Sequence, residues 1–206
     1  MEGEQLKIFD KNRNQIGVAT REEVHRLGYW HETFHCWFIS KESGTHYLYL
    51  QLRSNTKKDY PNLLDITAAG HLLSNETVPE GVREIKEEIG IDITFQELIP
   101  LGIIDYCLIR GDFKDRELAN VFLYKSNKSF DDFILQEEEV AGIVKVEFNH
   151  FVELWFGKRE TINIKGFEIK KDGKKFLIDE NVGREKFVPH QINFYKTVIE
   201  KMKEQF

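Results

Sequence analysis

The sequence predicts an α+β domain, a mixed sheet with helices, that carries a β-hairpin and a helix at its C-terminal end. Three observations lead there. Short apolar runs with strand-like composition recur along most of the chain. One capped helical segment interrupts them near residue 80. Beyond residue 160 the pattern changes to a strongly alternating hairpin followed by an amphipathic helix.

In chain order, "EQLKIFDKNRNQIGVATRE" reads as a hairpin, two apolar runs around a turn rich in Asn and Lys. Strands are expected at 34–40 and 47–53, joined by a Ser-Gly turn. "KKDYPNLLDITAAGHLLSNE" reads as a loop, a short strand and a second loop. Thr77 and Glu80 form a capping-box pair with Pro79 in the first turn, so a helix opens at Thr77. It should end near Ile89, because Gly90 suits the left-handed position beyond a helix. "LIPLGIIDYCLI" and "ELANVFLYKS" are strand-like around the polar loop "RGDFKDR". "VAGIVKVEF" predicts another strand and "NHFVELWFGK" a helix. Asp172-Gly173 is a hairpin turn, and Ile192, Tyr195, Val198, Ile199 and Met202 share one face of a terminal helix. The expected division is 1–158 for the main domain and 159–206 for the extension. The apolar faces of the extension call for burial on the same core, with a homodimer as the alternative.

The bulk numbers exclude several classes. A net charge of −6 over 206 residues argues against a general nucleic-acid grip. No run approaches the ~20 apolar residues of a membrane span. The first residues are charged and lack the apolar core of a signal peptide, and Cys36 and Cys107 show no metal spacing, so a reducing, cytoplasmic setting is expected.

The segment "VREIKEEIGID" places Glu84, Glu87 and Glu88 within five residues. On a helix these carboxylates fall within an arc of about 100°, where like charges repel. Glu80 lies on the same side. Such hard oxygen donors suit Mg²⁺ or Mn²⁺, and magnesium shares its coordination with substrate phosphates. A solvated charged face is the plain alternative.

"GHLLSNETVPEGVREIKEEIGI" resembles the Nudix box, G-x5-E-x7-R-E-U-x-E-E-x-G-U. Gly70 and Glu76 match its start, and Arg83, Glu84, Ile85, Glu87, Glu88, Gly90 and Ile91 match its end. Six residues, rather than seven, separate Glu76 from Arg83. The resemblance covers roughly residues 1–155 and implies an α-β-α sandwich with a mixed central sheet. It also implies a Mg²⁺-dependent hydrolase (with Mn²⁺ as a substitute) acting on a small-molecule diphosphate linked to another group X. Glu84, Glu87 and Glu88 would hold the metal, Glu117 would serve as base or orient the water, and Arg83 would support the glutamates. Within the superfamily, "VHRLGYWHETFHCWFI" and "LLDITAAGH" are similar to the isopentenyl-diphosphate isomerase branch. That isomerase places a cysteine just before a Gly-His pair; here Ala69 precedes Gly70 and His71, which disfavours it. A non-catalytic nucleotide-binding module is the third reading.

Among other residues, Gly70, His71, Glu76 and Arg53 are candidates for substrate contact. His25, His31 and His35 read as ordinary core or surface histidines; His31 and His35 sit about 13 Å apart on one strand face, too far for a shared metal. Tyr29, Trp30 and Trp37 are core aromatics or base-stacking residues, and "KKDGKK" is a solubilising hairpin tip.

Overall fold

The computed structural model describes residues 3–111, 113–170 and 172–206; Asp112 and Lys171, one from each polar turn singled out above, lie outside them, as do Met1 and Glu2. Strands β1 (Gln5–Phe9) and β2 (Gln15–Thr20) form the N-terminal hairpin. A helix not expected from the sequence follows, α1 (Arg21–Leu27). Its start is a capping box: the Thr20 N–H donates to the Glu23 carboxylate at 3.1 Å and the Glu23 N–H donates back to the Thr20 hydroxyl at 3.3 Å. Gly28, at φ 76°, closes it.

Strands β3 (Trp30–Glu42) and β4 (Thr45–Arg53) are a long hairpin turned by Ser43 and Gly44, and both extend beyond the expected bounds. Two short strands follow, β5 (Leu64–Asp65) and β6 (Ala68–His71). The helix expected from Thr77 is divided into a 3₁₀ turn over Val78–Val82 and then α2 (Arg83–Ile89). Pro79 and Gly81 lie in the tighter part, where Gly81 packs against Phe34 and Leu72 so closely that a β-carbon would collide with both. Gly90 ends α2 at φ 72°.

Strands β7 (Ile99–Arg110) and β8 (Phe113–Lys125) run almost to their turn. Most of the polar segment expected as a loop is therefore strand, which puts Asp115 and Glu117 two residues apart on one strand face. Strand β9 (Val140–Glu147), α3 (Phe148–Trp155), the hairpin β10 (Ile162–Ile169) with β11 (Lys175–Val182), and α4 (Ile192–Lys203) complete the chain.

One sheet contains all of the strands, with the path β11-β10-β9-β4-β3-β1-β2. β8 pairs in parallel with β3 along Trp30–Ile39, which leaves the opposite edge of β3 to β1, β6 and β4 in succession. Helices cover both faces. Ile85 and Ile89 of α2 pack with Phe34, Cys36 and Phe38 on one side. On the other, α3 and α4 pack with Trp37, Ile39 and Leu50, and Trp155 stacks on Tyr195 at 3.6 Å between ring centroids. Trp37 is fully buried in that layer. The segment after residue 159 adds two strands to the same sheet and places Phe194, Tyr195, Val198, Ile199 and Met202 in the same core.

Candidate active site

Residues from Glu4 to His190 line one cleft of about 320 Å³, opening where β3 is shared among its partners. Helix α2 brings Glu84, Glu87 and Glu88 to it, together with Arg83. Glu88 is buried, and its carboxylate accepts the Ala69 N–H at 3.0 Å and the Gln51 amide at 3.4 Å. Burial, with the Glu84 charge added, pushes its carboxyl up to about 8. Glu84 is pushed up to about 7 by burial, with Arg83 opposing and Glu87 reinforcing the shift. Glu87 is half exposed and accepts from Arg83 at 3.0 Å. A fourth carboxylate, Glu139, comes from the start of the β9 segment, buried and ion-paired with Lys57. Nothing local in the sequence marks it: it lies 51 residues beyond Glu88 in an ordinary acidic run. The four converging carboxylates outnumber the two cations paired with them, Arg83 and Lys57, and form a donor set that fits a hard divalent cation.

Arg83 organises this face. Its guanidinium is ion-paired with Glu84 at 2.8 Å and donates to Glu87, to the His71 carbonyl at 3.2 Å and to both oxygens of Glu76. Glu76, expected at the substrate, is brought instead to Arg83 and to the Leu73 N–H at 2.8 Å, and it does not line the cleft. The loop is one residue short, yet Glu76 still closes onto the arginine. Glu80, on the same side of an ideal helix, accepts the Thr77 N–H at 2.7 Å as a cap, away from the other carboxylates. Gly70 permits the close approach of α2 to β6, since a β-carbon there would collide with the Glu84 carboxylate. The obstacle is the end of a side chain, so Gly70→Ala is expected to displace Glu84 without unfolding the protein. Turnover should fall about tenfold to a hundredfold, with a melting temperature within about 2 °C of wild type; parallel kinetics and melting curves check this.

Opposite α2 lies a second group that the sequence reading missed. His25 from α1, His31 from β3 and His71 from β6 meet with ring centroids 5.1–5.3 Å apart. Their ligating nitrogens lie within 4.8 Å of one another, and His31 is equally close to Asp115 and Glu117. The His31 Nε2 and the Asp115 Oδ1 are buried without a hydrogen-bond partner. Burial holds His71 well below the usual imidazole range, with His31 and Arg21 adding to it, and burial lowers His31. Imidazole nitrogens beside two carboxylates fit a divalent transition metal better than magnesium. The readable signal was Asp115-x-Glu117 together with histidines flanking the strands. No fixed spacing links those histidines, because they come from three elements.

Glu117 also accepts from Thr33 at 3.2 Å and lies 3.2 Å from His35. Burial works to raise its carboxyl, but His35 and His31 outweigh burial and hold it below the ordinary range. Arg53 lines the cleft with its donors taken up by Asp65 at 3.0 Å and by the Asp59 and Tyr60 carbonyls. Neither Cys36 nor Cys107 lines the cleft.

No family model matches the chain. An uncharacterised Nudix hydrolase of Clostridium acetobutylicum is 36% identical over 206 residues, spanning all of both chains. An isopentenyl-diphosphate Delta-isomerase of Saccharopolyspora erythraea is 27% identical over 151 residues, 72% of this chain and 74% of that one. Among solved structures, a MutT/nudix family protein from Enterococcus faecalis superposes with a TM-score of 0.53 at 13% identity, over 84% of this chain and 61% of that one.

Proposed function

The chain belongs to the Nudix hydrolase family, and on that footing we propose that it hydrolyses a small-molecule diphosphate joined to another group X, with Mg²⁺ or Mn²⁺ as cofactor. The convergence of Glu84, Glu87 and Glu88 on one wall of the cleft carries this reading. A divalent cation at these carboxylates would neutralise diphosphate charge and lower the pKa of an attacking water. Arg83 fixes Glu84 and Glu87 in place through its ion pairs. Glu117, kept ionised by His35, accepts a proton from the water or orients it. His31, with either His25 and His71 or Asp115 and Glu117, would hold a second cation beside the cleft, which all of these residues but the buried His31 line.

The isomerase reading lacks its thiol. Ala69 stands before Gly70-His71, and neither cysteine reaches the cleft to replace it.

The test is a panel of diphosphate compounds with Mg²⁺ or Mn²⁺, run with wild type, Glu87→Gln and Glu88→Gln. Wild type should release phosphate-containing products, and each substitution should cut turnover by about a hundredfold or more, since even residues that only support ligands cost 10–100-fold. Tight nucleotide binding with no turnover would replace the hydrolase by a binding module. Undiminished activity in both variants would remove the metal assignment.

A further inference from the structure

Strand β11 stands at one end of the sheet. It pairs with β10 along its whole length, from Val182 opposite Ile162 to Lys175 opposite Ile169, and with no other strand among the described residues. Its second edge is therefore free to receive another strand through the main chain. Apolar side chains stand exposed along it: Leu177 is 89% exposed and Phe176 45%. Natural edges are commonly blunted by lysines and other charges. On β11 the charges change sign from one end to the other, which gives them a different use.

The order along the edge is Lys174, Lys175, Phe176, Leu177, Ile178, Asp179, Glu180, and the two lysines are the second half of the "KKDGKK" tip. Two copies laid antiparallel, with Leu177 on the two-fold axis, bring Leu177 opposite itself and Phe176 opposite Ile178. Lys175 then faces Asp179 and Lys174 faces Glu180, and each pair occurs twice. Every charge in the stretch meets its opposite. A slip of one residue in either direction sets a charge against Phe176 or Ile178, and a parallel pairing in register sets like charge on like. Within the chain, Lys174 pairs with Asp172 at 3.0 Å, Lys175 with Asp131 at 3.0 Å and Asp179 with Lys165 at 3.3 Å. These are surface pairs, which contribute little and do not bar a new partner. Strand β2, at the other end of the sheet path, exposes Ile16 and Val18 but carries no charge to fix a register.

We propose that β11 is a docking edge for a second copy of this chain, the two sheets joining as one across a two-fold axis at Leu177. A two-fold interface must be complementary to itself, and the charge order of β11 meets that condition. The main chain supplies the attraction, and the four lysine–carboxylate pairs select the partner and the register. No residue of β11 lines the cleft, so this inference stands or falls apart from the hydrolase reading.

Equilibrium sedimentation of the full chain across micromolar concentrations tests this. Wild type should reach twice the 24.3 kDa chain mass. Leu177→Lys sets like charges on the axis and removes the central apolar contact, so the dissociation constant should rise at least about tenfold. It should melt like wild type, because Leu177 is exposed. Lys174→Glu and Glu180→Lys should each weaken self-association about tenfold, and the two variants mixed in equal amounts should come back to within about threefold of wild type. In a Cys107→Ser background, mild oxidation of Leu177→Cys should link two chains, since opposed residues lie about 4.5–5.5 Å apart between Cα atoms. Glu180→Cys should not link, because its two copies lie about 20 Å apart along the strands. A monomeric wild type, its edge left to a different protein's strand, overturns the proposal. So does a dimer that Leu177→Lys leaves undiminished, or a mixture of the charge variants that associates no better than either alone. A crosslink at residue 180 in place of 177 overturns the register, and the proposal with it.

Discussion

Arg83→Met should lose about 2–3 kcal/mol of stability, because removing one partner strands a largely buried carboxylate, and about a hundredfold or more of turnover. Glu76 is 11% exposed at its side chain, and Arg83 is its ion-pair partner among the described residues, the Leu73 N–H being the other donor to its carboxylate. Removing the guanidinium also frees Glu84 and Glu87 from their shared anchor. The two losses are separable. Arg83→Met with Glu76→Gln removes the stranded charge, so chemical denaturation should show much of the stability restored while turnover stays low. Full recovery of turnover in the double variant would mean that Arg83 matters only for folding.

Chelated protein should lose stability as pH rises from about 4.5 to about 8, and millimolar Mg²⁺ should remove most of that loss. Glu84 and Glu88 have folded-state values of about 7 and about 8, both above the ordinary 4.5. The native state therefore holds more protons than the unfolded chain in this window, so stability is full at its acid end and falls toward its alkaline end. For the buried Glu88 the change is on the order of a few kcal/mol. A bound cation supplies the missing positive charge and couples binding to folding. Melting curves at pH 6 and pH 8.5, with chelator and with Mg²⁺, give the answer. A Mg²⁺ effect no larger at pH 8.5 than at pH 6 would detach these carboxylates from the metal.

The acidic helix was legible in the sequence because its chemistry is local: cap, glutamates and terminal glycine lie within fourteen residues, from Thr77 to Gly90. The terminal hairpin and α4 were legible for the same reason. Helix α1 was not, although Thr20-x-x-Glu23 is a capping box of the kind read correctly at Thr77. Seven residues with only Val24 and Leu27 as aliphatic members give too short a period to stand out between two strands. Strands β5 and β6, two and four residues long, are held by tertiary pairing and carry no alternation of their own. The histidine group was missed because strand geometry was applied to His31 and His35, whereas His31 meets residues from other elements. Glu76 kept its arginine in spite of the short loop, and so left the cleft. His190 and Asp65 are 125 residues apart, and only the completed sheet joins them.

The parallel seam between β3 and β8 also bears on how quickly the protein can assemble. Trp30 pairs with Arg116, 86 residues away, and the same offset holds to Ile39 and Lys125. Hairpins such as β7–β8 close over short loops, but this seam waits on a long one, and topologies rich in such distant pairings fold slowly. The cleft straddles the seam and draws on both sides of it. During refolding, cation binding is therefore expected to return in a later kinetic phase than hairpin formation, so that metal affinity reports the last closure of the chain.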